Sequence, residues 1–170
     1  MSKPEGLPPW NVTMLGPSRV GKTSLLTALR VAANSFFAGT PVTVEPEDET
    51  TRAAFATNDN MMKGELNSHS FRPDSLPGDL EAHQYGLVVD AGIPSHRLTL
   101  RFQDYPGGWL STHDSETVRH LMEESPTVII PIDATLIMDG GAEHSREIAD
   151  MLKLTEVADQ VRAWATVRTR

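Results

Sequence analysis

The chain has 170 residues, 39% of them hydrophobic and 22% charged, with a formal net charge of -8 and no cysteine. That length and composition fit one globular domain with a sizeable core. The acidic balance argues against general nucleic-acid binding, the missing cysteines exclude disulfides and thiolate metal sites, and no apolar run approaches the ~18 residues of a membrane span.

Residues 1–9 carry no apolar signal core and are expected to form a flexible lead-in to a domain over 10–170. The lack of cysteine suits a reducing compartment, so a cytoplasmic location is expected. Trp10, Val12 and Met14 then alternate with Asn11 and Thr13, which predicts a strand over 10–15. Next, Gly16-Pro17-Ser18-Arg19-Val20-Gly21-Lys22-Thr23 matches G-x-x-x-x-G-K-[ST] at every fixed position. Leu25, Leu26, Leu29, Ala32, Ala33 and Phe36 follow at helical spacing, with Gly39 placed to end the helix.

Strand, glycine loop and helix form a phosphate cradle. Glycines let successive N–H groups turn toward one anion, and the helix N-terminus adds its dipole and free donors. The backbone of 16–24, including Ser18, Arg19, Val20 and Ser24, is expected to hold phosphates. Lys22 should reach the β and γ phosphates as a point charge, while the Thr23 hydroxyl ligates Mg²⁺.

From Gly39 to His83 the periodicity fades, with Pro41, Pro46, Pro73, Pro77 and Gly78 as punctuation. Glu45-Pro46-Glu47-Asp48-Glu49 reads as a solvated acidic face, and one helix is expected within Asn58–Ser68. A connection this long is usually functional or mobile. Strands are predicted over 84–90 and 97–103. The turn-rich connector Ala91–His96 is too short for a crossover helix, so the two should pair as an antiparallel hairpin.

The second of these strands runs into Asp104-Tyr105-Pro106-Gly107, a D-x-x-G pattern. In a P-loop fold, Asp104 would hold a water on Mg²⁺ and the Gly107 N–H would sense the γ-phosphate. A helix is predicted over Ser111–Glu124, stopped by Ser125-Pro126. The apolar run 127–133 reads as a strand covered on both faces, with Pro131 at a bulge or on an unpaired side. A last helix is expected from Glu143 to Val167, burying Ile148, Met151, Leu154, Val157, Val161 and Trp164. The six histidines (His69, His83, His96, His113, His120 and His144) show no paired ligand spacing, so no zinc site is expected.

The order of phosphate loop, helix, long variable segment, hairpin, D-x-x-G, helix and buried strand resembles a Ras-like GTPase domain of the translation-factor-related class. GPSRVGKTSLLTAL and LRFQDYPGGWL look closest to bacterial members, and the resemblance covers roughly residues 10–167. It implies a three-layer α/β P-loop fold, with a mixed sheet and helices on both faces. It also implies Mg²⁺-dependent binding of GTP, slow hydrolysis to GDP, and a protein effector or additional domain as partner. Within 39–83 it implies a switch I threonine on the metal, for which Thr50 and Thr51 are the candidates. Arg52 is then a possible phosphate contact, and Thr40, Thr43 and Thr57 stand as alternatives.

Two departures from the family pattern matter. The residue after D-x-x-G is Gly108, where the family carries a water-orienting glutamine, which implies slow hydrolysis or help from another group such as His113 or a partner. No N/T-K-x-D guanine motif occurs, so the chain is expected to be a fragment, or its missing strands to come from elsewhere. GPSxxGKT followed by Thr50-Thr51-Arg52 also resembles guanylate kinase, which keeps a nucleoside monophosphate kinase as an alternative. A catalytically weak, nucleotide-gated interaction module is a third reading.

Overall fold

The computed structural model describes residues 7–18, 20–68, 81–93, 96–112, 114–134, 149–150 and 152–168. Its framework is a five-stranded mixed sheet. Strand β1 (Trp10–Met14) leads to helix α1 (Lys22–Phe36), then β2 (Thr43–Pro46) and α2 (Glu49–Ser68). The hairpin of β3 (His83–Asp90) and β4 (Arg97–Asp104) follows, then a 3₁₀ turn (Gly107–Ser111), α3 (Ser115–Glu123), β5 (Thr127–Ile129) and a helix we call α4 (Leu154–Arg168). The strand order is β2-β3-β4-β1-β5. Strand β1 runs parallel to its neighbours β4 and β5, and β3 is antiparallel to both β2 and β4.

Alternation along β1 decides which helix lies on which face. Val12 and Met14 join Leu26 of α1, Phe55 of α2 and Tyr85, Leu87 and Phe102 of the hairpin in one core cluster. Each such side chain, fully buried, contributes about 1.5–3 kcal/mol. Thr13 points the other way, bonding the Leu121 carbonyl at 3.2 Å and the Ser125 hydroxyl at 2.7 Å. On that side Val118 and Met122 of α3 pack with Leu15, Tyr105, Leu110 and Val157 of α4. Helices therefore cover both faces, and β1 and β4 carry the chain to the same end of the sheet.

Several boundaries differ from the sequence reading. Strand β2 was not anticipated, and α2 begins at Glu49 rather than within 58–68. The acidic run is not simply a solvated face. Glu47 holds Arg101 through two hydrogen bonds of 2.6 and 3.0 Å, and Asp48 accepts the Thr51 N–H at 2.7 Å, capping α2. The helix predicted over 111–124 splits into the 3₁₀ turn and α3. The strand predicted over 127–133 pairs only through Ile129. Beyond it Pro131 has no N–H to donate, which fits the early end of the ladder.

The last helix starts at Leu154 because Lys153, with φ 51°, turns the chain just before it. Ile148 and Met151, assigned to that helix's buried stripe, lie outside the described residues. So do the whole 69–80 segment, with His69, and His113 and His144. Beside α4, a cavity of about 440 Å³ is walled by Pro17, Ile130, Ile132, Leu154, Val157 and Val161. No helix among the described residues is long and apolar enough to cross a membrane.

Candidate phosphate and metal site

The site forms where β1 and β4 end together. Leu15 donates its N–H to Ile129 O at 2.8 Å, fixing the start of the glycine loop against β5. Gly21, at φ 85°, sits in the left-handed region and turns the loop into α1, a conformation that costs other residues about 1–2 kcal/mol. The start of α1 has no side-chain cap and no acid in its first turn. Its N–H groups and positive dipole end are thus left without a cap or an acid from the helix's own first turn.

Lys22 folds back over this loop. Its Nζ donates to the carbonyls of Gly16 at 3.0 Å and Pro17 at 3.1 Å, and it lies 5.5 Å from the centre of the Tyr105 ring. Only 7% of the residue is exposed. Burial pushes the ammonium below its ordinary pKa, and the Asp104 carboxylate pulls the other way. Beside it Thr23 donates to Asp104 Oδ2 at 2.6 Å, with Asp104 8% exposed. Two oxygen donors from distant parts of the chain therefore meet next to a buried cation.

The D-x-x-G segment closes against the loop. A side chain on Gly107 would run into Ser18 N and Pro17 C, so only glycine allows this approach. Tyr105 is buried between the Lys22 ammonium and Trp109, whose ring stacks 6.4 Å away, and burial raises its pKa. Around Gly108, by contrast, no described residue other than its chain neighbours lies within 4 Å of where a side chain would begin.

Not every predicted site residue comes together. Lys22, Thr23, Asp104 and Gly107 do, as do Gly16, Ser18, Val20, Gly21 and Ser24 of the loop and first helical turn. Arg19 and His113 lie outside the described residues. Thr51 goes elsewhere: its hydroxyl accepts the Gly86 N–H at 3.3 Å, completing the β3 edge where β2 stops. Gly86 pairs with Arg101, three residues along β4 from Asp104, or about 10 Å. Thr50 is exposed on the first turn of α2, and Arg52 is engaged with Glu45 and Glu49.

Two neighbours of the site escaped the sequence reading. Tyr105 sits inside D-x-x-G, and only its burial under Lys22 gives it significance. His83 stands opposite Asp104 in the hairpin register. The signal was available, since the pairing of Asp90 with Arg97 across the connector fixes every later partner. Compared with protein-family models, with curated proteins and with solved structures, the chain matches none of them.

Proposed function

We propose that residues 16–24 bind the phosphate tail of a nucleoside triphosphate with Mg²⁺, that the nucleotide is GTP, and that it is hydrolysed slowly to GDP. The observation that carries this reading is the buried junction of Lys22, Thr23 and Asp104 at an uncapped helix start. The donors fit the cation, because Mg²⁺ takes hard oxygen ligands and keeps several waters, and a hydroxyl beside a carboxylate offers such a place. When bound, the ion neutralises charge on the phosphate oxygens. Thr23 and Asp104 would hold it, directly or through water.

The chain's own groups do the rest. Lys22, already fixed by two carbonyls, presents its charge without further ordering, and the first N–H groups of α1 face the anion. The choice of guanine comes from the resemblance to Ras-like GTPase domains, as does the three-layer P-loop assignment. Calorimetry with Mg²⁺ and GTP, GDP or ATP tests the reading. We expect heat for GTP and GDP, much weaker binding for Lys22→Ala, and no signal with any nucleotide would end it.

Gly108 favours a second reading of the same site, a nucleotide-gated module with little catalysis. It brings no side chain to orient a water, and among the described residues none beyond its chain neighbours lies within 4 Å of where one would begin. Gly107, pressed against Pro17 and Ser18, would have to yield as a terminal phosphate arrived, moving the turn that carries Trp109 and Leu110. Single-turnover GTP hydrolysis separates the two readings. A rate indistinguishable from that of Lys22→Ala supports the module, and a clear excess supports the GTPase.

A further inference from the structure

We propose that His83 belongs to the metal site, holding a water in the outer coordination shell of the cation bound by Thr23 and Asp104. The inference rests on the phosphate-site reading above. Its basis is the register and facing of the hairpin.

His83 and Asp104 are the final pair of the β3–β4 ladder. Directly opposed residues in an antiparallel pair share a face, with Cβ atoms about 4.5–5.5 Å apart. The adjoining pair fixes which face. Gln84 and Gln103 meet through their amides at 3.0 Å, and each neighbours a member of the His83–Asp104 pair, so they occupy the opposite side. On the His83 side the next residue, Tyr85, packs 5.4 Å from Phe55 of α2, and its ring lies 6.3 Å from the imidazole. That is the side on which Thr23 of α1 reaches Asp104. His83, Asp104 and Thr23 therefore meet on one face at the same end of the sheet, carried by three elements.

The chemistry suits an outer-shell role. Among the described residues no three His, Cys, Asp or Glu side chains gather into a cage. A cation held by one hydroxyl and one carboxylate keeps most of its waters, and those waters need partners. Asp104 provides oxygens, and the His83 imidazole provides a ring nitrogen for a water that the hydroxyl and carboxylate leave unsupported. Partners of this kind orient the shell, and their loss typically costs about 10–100-fold in metal affinity.

The test uses Mn²⁺ with GDP on the full chain labelled with ¹⁵N-histidine. Pulsed EPR should detect weak ¹⁵N coupling to Mn²⁺, at outer-shell strength, and His83→Phe should abolish it. That variant keeps a ring to pack on Tyr85, so a merely structural histidine would leave metal affinity unchanged. We expect Mn²⁺ affinity in the GDP complex to fall about 10–100-fold, with GDP binding in EDTA unaffected. Absence of ¹⁵N coupling in the wild type, or unchanged Mn²⁺ affinity in both His83→Phe and His83→Ala, overturns the proposal while leaving the phosphate site standing. If the unmodified chain binds neither GDP nor GTP, the phosphate-site reading falls and this inference falls with it.

Discussion

Helices α1 and α2 begin in opposite ways. The start of α2 is closed by its own chain: Asp48 accepts the Thr51 N–H, and Glu49 lies in the first turn. The start of α1 has no cap and no acid of its own; it opens on the buried Lys22, and the one carboxylate bonded there, Asp104, comes from β4 and meets the Thr23 hydroxyl. Both helices carry the same dipole, and both leave several N–H groups unsatisfied by helical bonding. One spends that potential on stability, and under the phosphate-site proposal the other offers it to an anion from outside. A helix start left open in a folded domain is a cost that a ligand can offset.

The contrast can be broken by experiment, beginning with the largest effect. Lys22→Ala should remove about 2–5 kcal/mol of nucleotide affinity, roughly 30- to 5,000-fold, in calorimetric titrations. Thr51→Val leaves the Gly86 N–H without its acceptor, and should lower unfolding free energy by about 1–3 kcal/mol in denaturant titrations. Its nucleotide affinity should not change, because Thr51 works at the sheet edge. A Thr51→Val protein that lost Mg²⁺-nucleotide binding at unchanged stability would restore the metal role implied by resemblance.

Ser24→Glu gives α1 the first-turn acid that α2 already has. It should add about 0.3–1 kcal/mol to stability while weakening GDP binding. If both rise together, the open helix start is not a phosphate site. The smallest effect concerns pH. The Thr51 backbone N–H holds the Asp48 carboxyl below its ordinary pKa, so its folded value lies under its unfolded one. Its stabilising contribution is then complete above the ordinary carboxylate range and lost as pH falls through the folded value. Melting curves across mild acid should show a shallower decline for Asp48→Ala than for the parent chain.

The sequence made the local features legible. Strand β1, the hairpin and the glycine loop depend on period-two alternation and a contiguous motif, both visible without tertiary context. Strand β2 was hidden because Thr43–Pro46 is four residues long, with Val44 the one aliphatic side chain among them. Its pairing partner β3, not its composition, makes it a strand. The first half of α2 was hidden because Thr50 and Thr51 are weak helix formers. Capping by Asp48 and burial of Phe55 override that preference.

The site divides in the same way. Lys22, Thr23 and Asp104 follow from their motifs. Thr51 was assigned to the metal by resemblance, but the β3 edge claims its hydroxyl. His83 lies 21 residues from Asp104 in sequence, and only the hairpin register makes them neighbours. Extending the predicted hairpin register one pair beyond residues 84 and 103 is what brings them together.

Pro17 faces two surroundings at once. Its backbone touches the Gly107 turn, and the residue also borders the apolar cavity beside α4. A stiff imino acid serves as a bulkhead here, wet chemistry on one side and hydrocarbon on the other. Any shift of the loop at this point must reshape the hollow behind it, so the two compartments share one mechanical boundary.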